Sequence, residues 1–405
     1  MIDFDAANGV MHIRPFLSVT MGILALFAGK ALNERIGFLG RYNIPEPVTG
    51  GLLFALVFTL AYFLLGTEVE FELTARDVLL VYFFTTIGLN ARVSDIRKGG
   101  KPLLTLLAVM VALMVAQNAT GTGLAAAMGY PPAAGLLGGS VSLVGGHGTA
   151  IAWAPVFREL GIGRALEIGV ASATIGLVLA SLAGGPVAKY LINKHQLEGG
   201  DEQLDVGVRE KRSPVSIDYL SFLWAILAIH LAGIVGIIAF EALESVGFQL
   251  PLFVTCLLGG ILLTNLQPRL LPRLQWPTRT PAMALIAEVS LGVFLAMSLM
   301  SMKIWTVADA AGPLLLVLAV QLAITVAFAL LVVFPVLGRG YQAAVMSAGF
   351  VGIGLGATPA AVANMTAVTQ RHGACHIAFL IVPLVGALFI DLTNAMVIRA
   401  FLAFL

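Results

Sequence analysis

Charge is scarce in this chain. Asp, Glu, Lys and Arg make up 11% of its 405 residues, less than half the share of about 25% usual in soluble domains. The 23 Lys and Arg nearly balance the 22 Asp and Glu, giving a formal charge of +1. No basic field is present to hold nucleic acid, and no acidic block marks a disordered tail. Cysteine is almost absent: Cys256 and Cys375 stand 119 positions apart in apolar surroundings. That spacing fits neither a disulfide framework nor a metal-ligand pattern, so both read as small core residues. A P-loop, an H-E-x-x-H pair and a patterned nucleophile with its base are also missing, which excludes hydrolysis of ATP and leaves an ion gradient as the energy source. The first apolar stretch begins after Arg14 and Pro15 without a small-residue cleavage site, so the N-terminus is expected to be retained. What the chain has in abundance is apolar residues, 59% of the total, with a mean hydropathy of +0.96. Such a composition belongs to a membrane protein.

A helix crossing a bilayer needs about 20 mostly apolar residues. Charges and Pro/Gly clusters cut the chain into ten such segments, near 16–31, 47–65, 75–91, 102–128, 168–190, 218–240, 250–267, 282–302, 313–338 and 376–399. Two further apolar stretches, 133–157 and 342–362, are rich in glycine, which disfavours a straight helix. If both are re-entrant and the N-terminus is outside, only Arg14, Arg76, Arg158, Arg164, Lys303 and Arg399 of the 23 basic residues face outward, leaving 17 inside. If both cross, the division becomes 11 inside and 12 outside. The positive-inside rule favours two hairpins, and non-helical backbone at membrane depth requires a cavity or protein to satisfy its polar groups.

The polar stretch His195–Ser216 separates two halves of like pattern. Ile44–Thr49 faces Leu250–Thr255 at a shift of 206, and Phe83, Asn90 and Arg92 face Phe294, Ser301 and Lys303 at 211. Gly146 and Gly148 face Gly354 and Gly356 at 208, and Gly176 and Lys189 face Gly386 and Arg399 at 210. The expected fold is therefore an all-α integral membrane protein of ten transmembrane helices in two inverted five-helix repeats, each with one re-entrant Gly-rich hairpin. The first repeat spans 1–192, a cytoplasmic linker 193–217 and the second repeat 218–405. Both termini are expected outside. Inverted repeats with broken helices at the midplane are the mark of secondary transporters.

Five segments carry a more specific resemblance: "YNIPEPVTGGLL" from Tyr42, "FFTTIGLNA" from Phe83, "SLVGGHGTAIAW" from Ser142, "GIGLGATPAAVANM" from Gly352 and "VPLVGALFIDLTNAMVI" from Val382. Together they resemble the bacterial sodium-coupled glutamate symporters, in order and over essentially the whole chain. The resemblance implies sodium-driven uptake of L-glutamate across the bacterial inner membrane, a homodimer, and an elevator-type motion against a scaffold. The halves are not identical at their tips, since "GGHG" in the first hairpin corresponds to "GLGA" in the second. His147 and Leu355 therefore have no equivalent role.

The glycines cluster at spacings of one and two, at Gly145, Gly146, Gly148 and again at Gly352, Gly354, Gly356. Such clusters break helices, so both tips are expected to meet near the midplane, with free N–H groups for a carboxylate and free carbonyls for a cation. Ser142, His147, Thr149, Thr358 and Asn364 add donors and oxygens at the tips. Asp391 and Asn394, three residues apart within the last apolar segment, share a face and suit a substrate ammonium or sodium. Gly352, Thr86 and Asn90 complete the candidate sodium donors, and Arg371 is the candidate counter-charge, because no Lys or Arg lies in the middle of a crossing. Gln117, Asn118 and Thr85 read instead as interhelical ties. Two rival functions share these features: a sodium-coupled dicarboxylate or citrate symporter, and a passive channel.

Overall fold

The computed structural model describes residues 2–5, 9–41, 44–92, 94–199, 217–245, 250–270, 273–274, 276–306 and 311–405. The chain is predominantly helical. Its first half runs β1 (Ile2–Asp5), β2 (Val10–Ile13), α1 (Pro15–Arg35), α2 (Gly37–Arg41), α3 (Glu46–Leu65), β3 (Glu68–Phe71) and α4 (Thr74–Asn90). It continues with α5 (Ser94–Ala127), α6 (Ala134–Leu137), α7 (Ser140–Leu143), α8 (Gly146–Glu159) and α9 (Ala165–His195). The second half contains α10 (Tyr219–Ser245), α11 (Leu252–Leu270), α12 (Pro281–Met300) and α13 (Ala311–Phe328), the last passing through a π-helical turn at Ala329–Val333 into α14 (Phe334–Val336). It ends with α15 (Tyr341–Leu355), α16 (Thr358–His372), α17 (His376–Leu388) and α18 (Ile390–Phe404). Most of the expected linker, residues 200–216, lies outside the described residues.

These helices are built for lipid. On α3 the inward positions are Gly50, Gly51 and Ala55, whereas Leu60, Phe63 and Leu64 are exposed. Small residues let backbones approach where lipid and protein are equally apolar and only close contact distinguishes them. The π turn precedes Pro335, whose ring would otherwise collide with a carbonyl one turn back.

Among the described residues, seven helices are long and apolar enough to cross a membrane, and the pair α17–α18, bent by 45° at its break, makes an eighth. Two of the ten expected crossings fall short of that measure. α4 has 17 residues, and α11 ends in Asn265, Gln267, Pro268 and Arg269. The chain is consistent with the expected all-α class, with one small addition: β1 pairs antiparallel with β2, and β2 pairs parallel with β3. Each strand is only four residues long, too short for alternation to stand out from a loop.

The sheet joins the start of the chain to the α3–α4 connection. Lys303, after α12, pairs with Glu68 and approaches Glu70 at 3.6 Å, so three segments share one end of the molecule. At another junction Arg92 bonds Thr278, and Asn90 Oδ1 accepts from the Arg279 amide at 2.7 Å. Packing divides the helices into two groups. In one, α1 lies on α3, α10 on α11, α4 on α11 and α12 on α3. The other gathers α5 to α9 and α13 to α18 around α5 and α9, and meets the first mainly through α8 on α12 and α4 and α11 on α17 and α18.

Candidate functional site

Both glycine-rich stretches are broken helices. α15 and α16 form an antiparallel pair: Gly352 lies against Ala361, Gly349 against Met365, and at the base the Tyr341 hydroxyl donates to the Gly373 carbonyl at 2.5 Å. The turn falls at Gly356 (φ −149°, ψ −97°) and at Ala357, which is extended, and Pro359 enters α16 in its first turn, where no amide is needed. The other stretch breaks at Gly138–Gly139 and again at Val144–Gly145. Gly146 there has φ +66°, a left-handed conformation that glycine adopts at no steric cost. The difference between "GGHG" and "GLGA" is thus a difference of turn geometry.

The two breaks meet. A Cβ at Gly146 would lie 3.6 Å from the Gly356 carbonyl oxygen. Both pack on one residue of α9: a Cβ at Gly176 would stand 2.4 Å from the Leu355 carbonyl oxygen and 2.7 Å from Leu143 Cδ2. Only a glycine admits both breaks at that point.

Side chains from neighbouring helices satisfy the broken ends. Asn118 Oδ1 accepts from the Ser140 amide at 2.9 Å, at the start of α7, and Asn394 Nδ2 donates to the Ser140 carbonyl at 2.9 Å. Gln117 Nε2 donates to the Gly354 carbonyl at 2.8 Å and to Thr325 Oγ1 at 3.3 Å, while Gln321 Nε2 donates to the Gln117 carbonyl at 2.8 Å. The Asn118 bond meets an N–H at the start of α7 and the Gln117 bond a carbonyl at the end of α15, groups that a broken helix leaves open, while Gln321 bonds a carbonyl within the continuous stretch of α5. Around them, Gln117 Oε1, Asn118 Nδ2, Ser140 Oγ, Ser142 Oγ, Gln321 Oε1 and Asn394 Oδ1 are buried with no hydrogen-bond partner among the described residues. Buried polar atoms are ordinarily paired. This set of oxygens, with one amide donor, suits a hard monovalent cation and a polar solute.

The other candidate residues take distinct places. His147 is buried, its Nε2 2.9 Å from Thr174 Oγ1, which in turn donates to the Val170 carbonyl. With that hydroxyl proton committed, Nε2 is the donor, and in the neutral ring Nδ1 is left as an acceptor. Thr149 is buried beside Gly145, and Gly148 faces Phe294 and Phe83 of the other helix group. Thr358 opens α16, and its hydroxyl lies against Gly386. Asn364 donates to the Ala180 carbonyl at 3.0 Å and the Ala348 carbonyl at 3.5 Å, tying the α15–α16 pair to α9.

Asp391 stands in the first turn of α18, directly after the α17–α18 break that interrupts the last apolar segment. Thr86 bonds back to the Phe83 carbonyl at 2.7 Å. Asn90 lies at the end of α4, engaged by Arg279 through its side chain and carbonyl, so it is held by the α11–α12 connection and not by the tips. Arg371 stands near the end of α16, about 20 Å along the helix from Thr358. The tips thus gather Ser142, Gly145, Gly146, Gly354 and Gly356, with Asn394 joined through Ser140, and leave Asn90 and Arg371 apart. Ser140, Thr174, Gln321 and Thr325 were not singled out from the sequence. The one signal is that Gln321 and Thr325 interrupt the most apolar spanning helix among the described residues.

Apolar helices of spanning length around a buried polar centre of broken helix ends define a multi-pass membrane protein with the kind of centre that secondary transporters use. The comparison with known proteins narrows the class. Residues 11–374 match the model of the sodium/glutamate symporter family. The chain is 41% identical over 397 residues to the sodium/glutamate symporter of Escherichia coli K12, covering 97% of this chain and 98% of that protein. It is 39% identical over 388 residues to that of Haemophilus influenzae, covering 94% and 95%. The chain belongs to the sodium/glutamate symporter family.

Proposed function

We propose that this protein couples sodium influx to uptake of L-glutamate across the bacterial inner membrane. The observation that carries the reading is the contact of the two helix breaks at Gly146 and Gly356, surrounded by buried, unpartnered oxygens. Glutamate sits at the tips, its carboxylates met by amides around Gly145–Gly148 and Gly354–Gly356, with Ser142, His147, Thr149, Thr358 and Asn364 around it. Asp391 meets the substrate ammonium and, with Asn394 and the carbonyls near Gly352, supplies oxygens to sodium. Both stretches are re-entrant hairpins, and ten helices cross, α4 and α11 among them, with both termini outside and the linker in the cytoplasm.

Repetition within the fold supports this topology. α1, α3, α4, α6, α8 and α9 are followed at offsets of 204 to 212 residues by the starts of α10, α11, α12, α15, α16 and α17. The packing is crosswise, α4 on α11 and α12 on α3, as a two-fold relation between halves requires. Gln117 and Thr325, 208 apart, touch each other, as residues beside such an axis do. The sheet and Lys303 gather three segments that this topology puts outside, and Asn90–Arg279 joins two that it puts inside. The division into two helix groups favours an elevator, in which the group holding the tips slides along the other, with the second group forming the homodimer.

The test is uptake of labelled glutamate into vesicles driven only by an imposed sodium gradient. Accumulation above the outside concentration, abolished by collapsing the gradient, is expected. Flux that stops at equilibration would make the protein a channel, and uptake of citrate or a dicarboxylate in preference to glutamate would make it a symporter of another substrate.

A further inference from the structure

Away from the tips, at the end of α9 and α16 where Arg371 lies, the two helices enclose an open cavity of about 730 Å³. α9 contributes Lys189, Tyr190 and Asn193, and α16 contributes Arg371 and His372, above an apolar floor that includes Pro186 and Val368. Among the described residues that line it, none is a carboxylate. Lys194 lies beside it, donating from Nζ to the Tyr190 hydroxyl at 3.0 Å and standing 5.2 Å from the centre of that ring. A basic residue at a helix C-terminus is ordinarily explained by the free carbonyls there. That does not account for a concave space lined by cations from two helices and backed by apolar residues.

The chemistry of the lining selects an anion with an apolar continuation. A guanidinium binds two phosphate oxygens at once, and an ammonium adds a point charge. Tyr190 and Asn193 can bond hydroxyls, and the floor can take a glycerol backbone. In the proposed topology the cavity opens at the cytoplasmic boundary of the bilayer, where basic clusters between helices meet anionic lipid; the inference uses that topology but not the identity of the cargo. We propose that this cavity binds a phosphate diester anion, the head group of an anionic phospholipid of the inner leaflet.

The test follows thermal unfolding of the full chain in neutral detergent during titration with short-chain phosphatidylglycerol, phosphatidylcholine or inorganic phosphate. Wild type is compared with Lys189→Gln/Arg371→Gln and with Lys30→Gln, an exposed lysine elsewhere. Phosphatidylglycerol is expected to protect wild type and Lys30→Gln, while phosphatidylcholine does not. With about 1 kcal/mol per basic residue at a membrane surface, the double variant needs roughly 30-fold more phosphatidylglycerol for the same shift. If the double variant does not fold, Lys189→Gln alone is expected to need about 5-fold more. Variant-sensitive protection by inorganic phosphate at the same concentrations would move the site to a free anion and overturn the lipid assignment. Equal protection of wild type and variant, or equal protection by phosphatidylcholine, would overturn the site itself.

Discussion

Gly176→Ala adds one methyl group where both broken helices rest on α9. Its Cβ would stand 2.4 Å from the Leu355 carbonyl oxygen, whereas ordinary contact begins at 3.4 Å. Something must therefore move by about 1 Å, and the nearest atom is backbone. The Leu143 methyl at 2.7 Å closes the other direction, so the strain cannot be relieved by turning one side chain. Overpacking of this kind costs about 1–3 kcal/mol. If that cost falls on the state in which the tips touch, it lowers the population of the binding-competent form by roughly 5- to 150-fold. The assay is sodium-driven glutamate uptake in vesicles, normalised to the amount of inserted protein. Gly233→Ala is the control, since a Cβ there meets nothing within 4 Å. Inserted Gly176→Ala with uptake within twofold of wild type would refute the reasoning that the tips must close on α9.

Gln117→Leu removes the donor to the Gly354 carbonyl and leaves a buried acceptor open; we expect about 1–3 kcal/mol of lost stability in a denaturant series, with uptake falling in parallel, and an unchanged midpoint would show the bond to be dispensable. Asp391→Asn is expected to weaken uptake of glutamate more than that of glutarate, which lacks the amino group; equal losses would remove Asp391 as the partner of the ammonium. Lys303 loses hydration in its surroundings, which opposes its charge, but its bond to Glu68 and the charges of Glu68 and Glu70 prevail and hold it above the ordinary 10.5. A raised value in the folded state means that the stabilisation is complete below 10.5 and disappears as pH rises through the folded value. Lys303→Gln should therefore cost a constant amount between about pH 7 and 9, at most about 1 kcal/mol because the pair is partly exposed, and less at high salt. A cost that varied across that range would assign the clasp to another group.

Much of the helical layout was legible because the membrane enforces it. An apolar run of spanning length has few alternatives to a helix, and α1, α3, α9, α10 and α12 lie close to the segments marked out by charge and proline. The helix breaks were legible from glycine spacing, because Gly145, Gly146 and Gly148 leave no regular interface pattern. The sheet was not, since Ile2–Asp5 and Glu68–Phe71 gain meaning only when Val10–Ile13 lies between them. The amides that tie the tips were half visible. Gln117 and Asn118 stood out as polar residues in an apolar helix, but that Asn118 takes the Ser140 amide and Gln117 the Gly354 carbonyl depends on contacts 22 and 237 residues apart. Asn90 and Arg371 fitted the chemistry by residue type, yet helix length carries both away from the tips.

The proposed transport site exists only if two helical hairpins dip in from opposite faces and return. Single cysteines at Pro132 and Gly163 flank the first, and at Gln342 and Gln370 they bracket the second, in a background lacking the buried Cys256 and Cys375. Each is treated with a membrane-impermeant thiol reagent in right-side-out and inside-out vesicles. Labelling of both 132 and 163 only from outside, and of both 342 and 370 only from inside, is the expected result. If the two ends of either hairpin react from different sides, that stretch crosses the membrane and the proposed transport site is wrong.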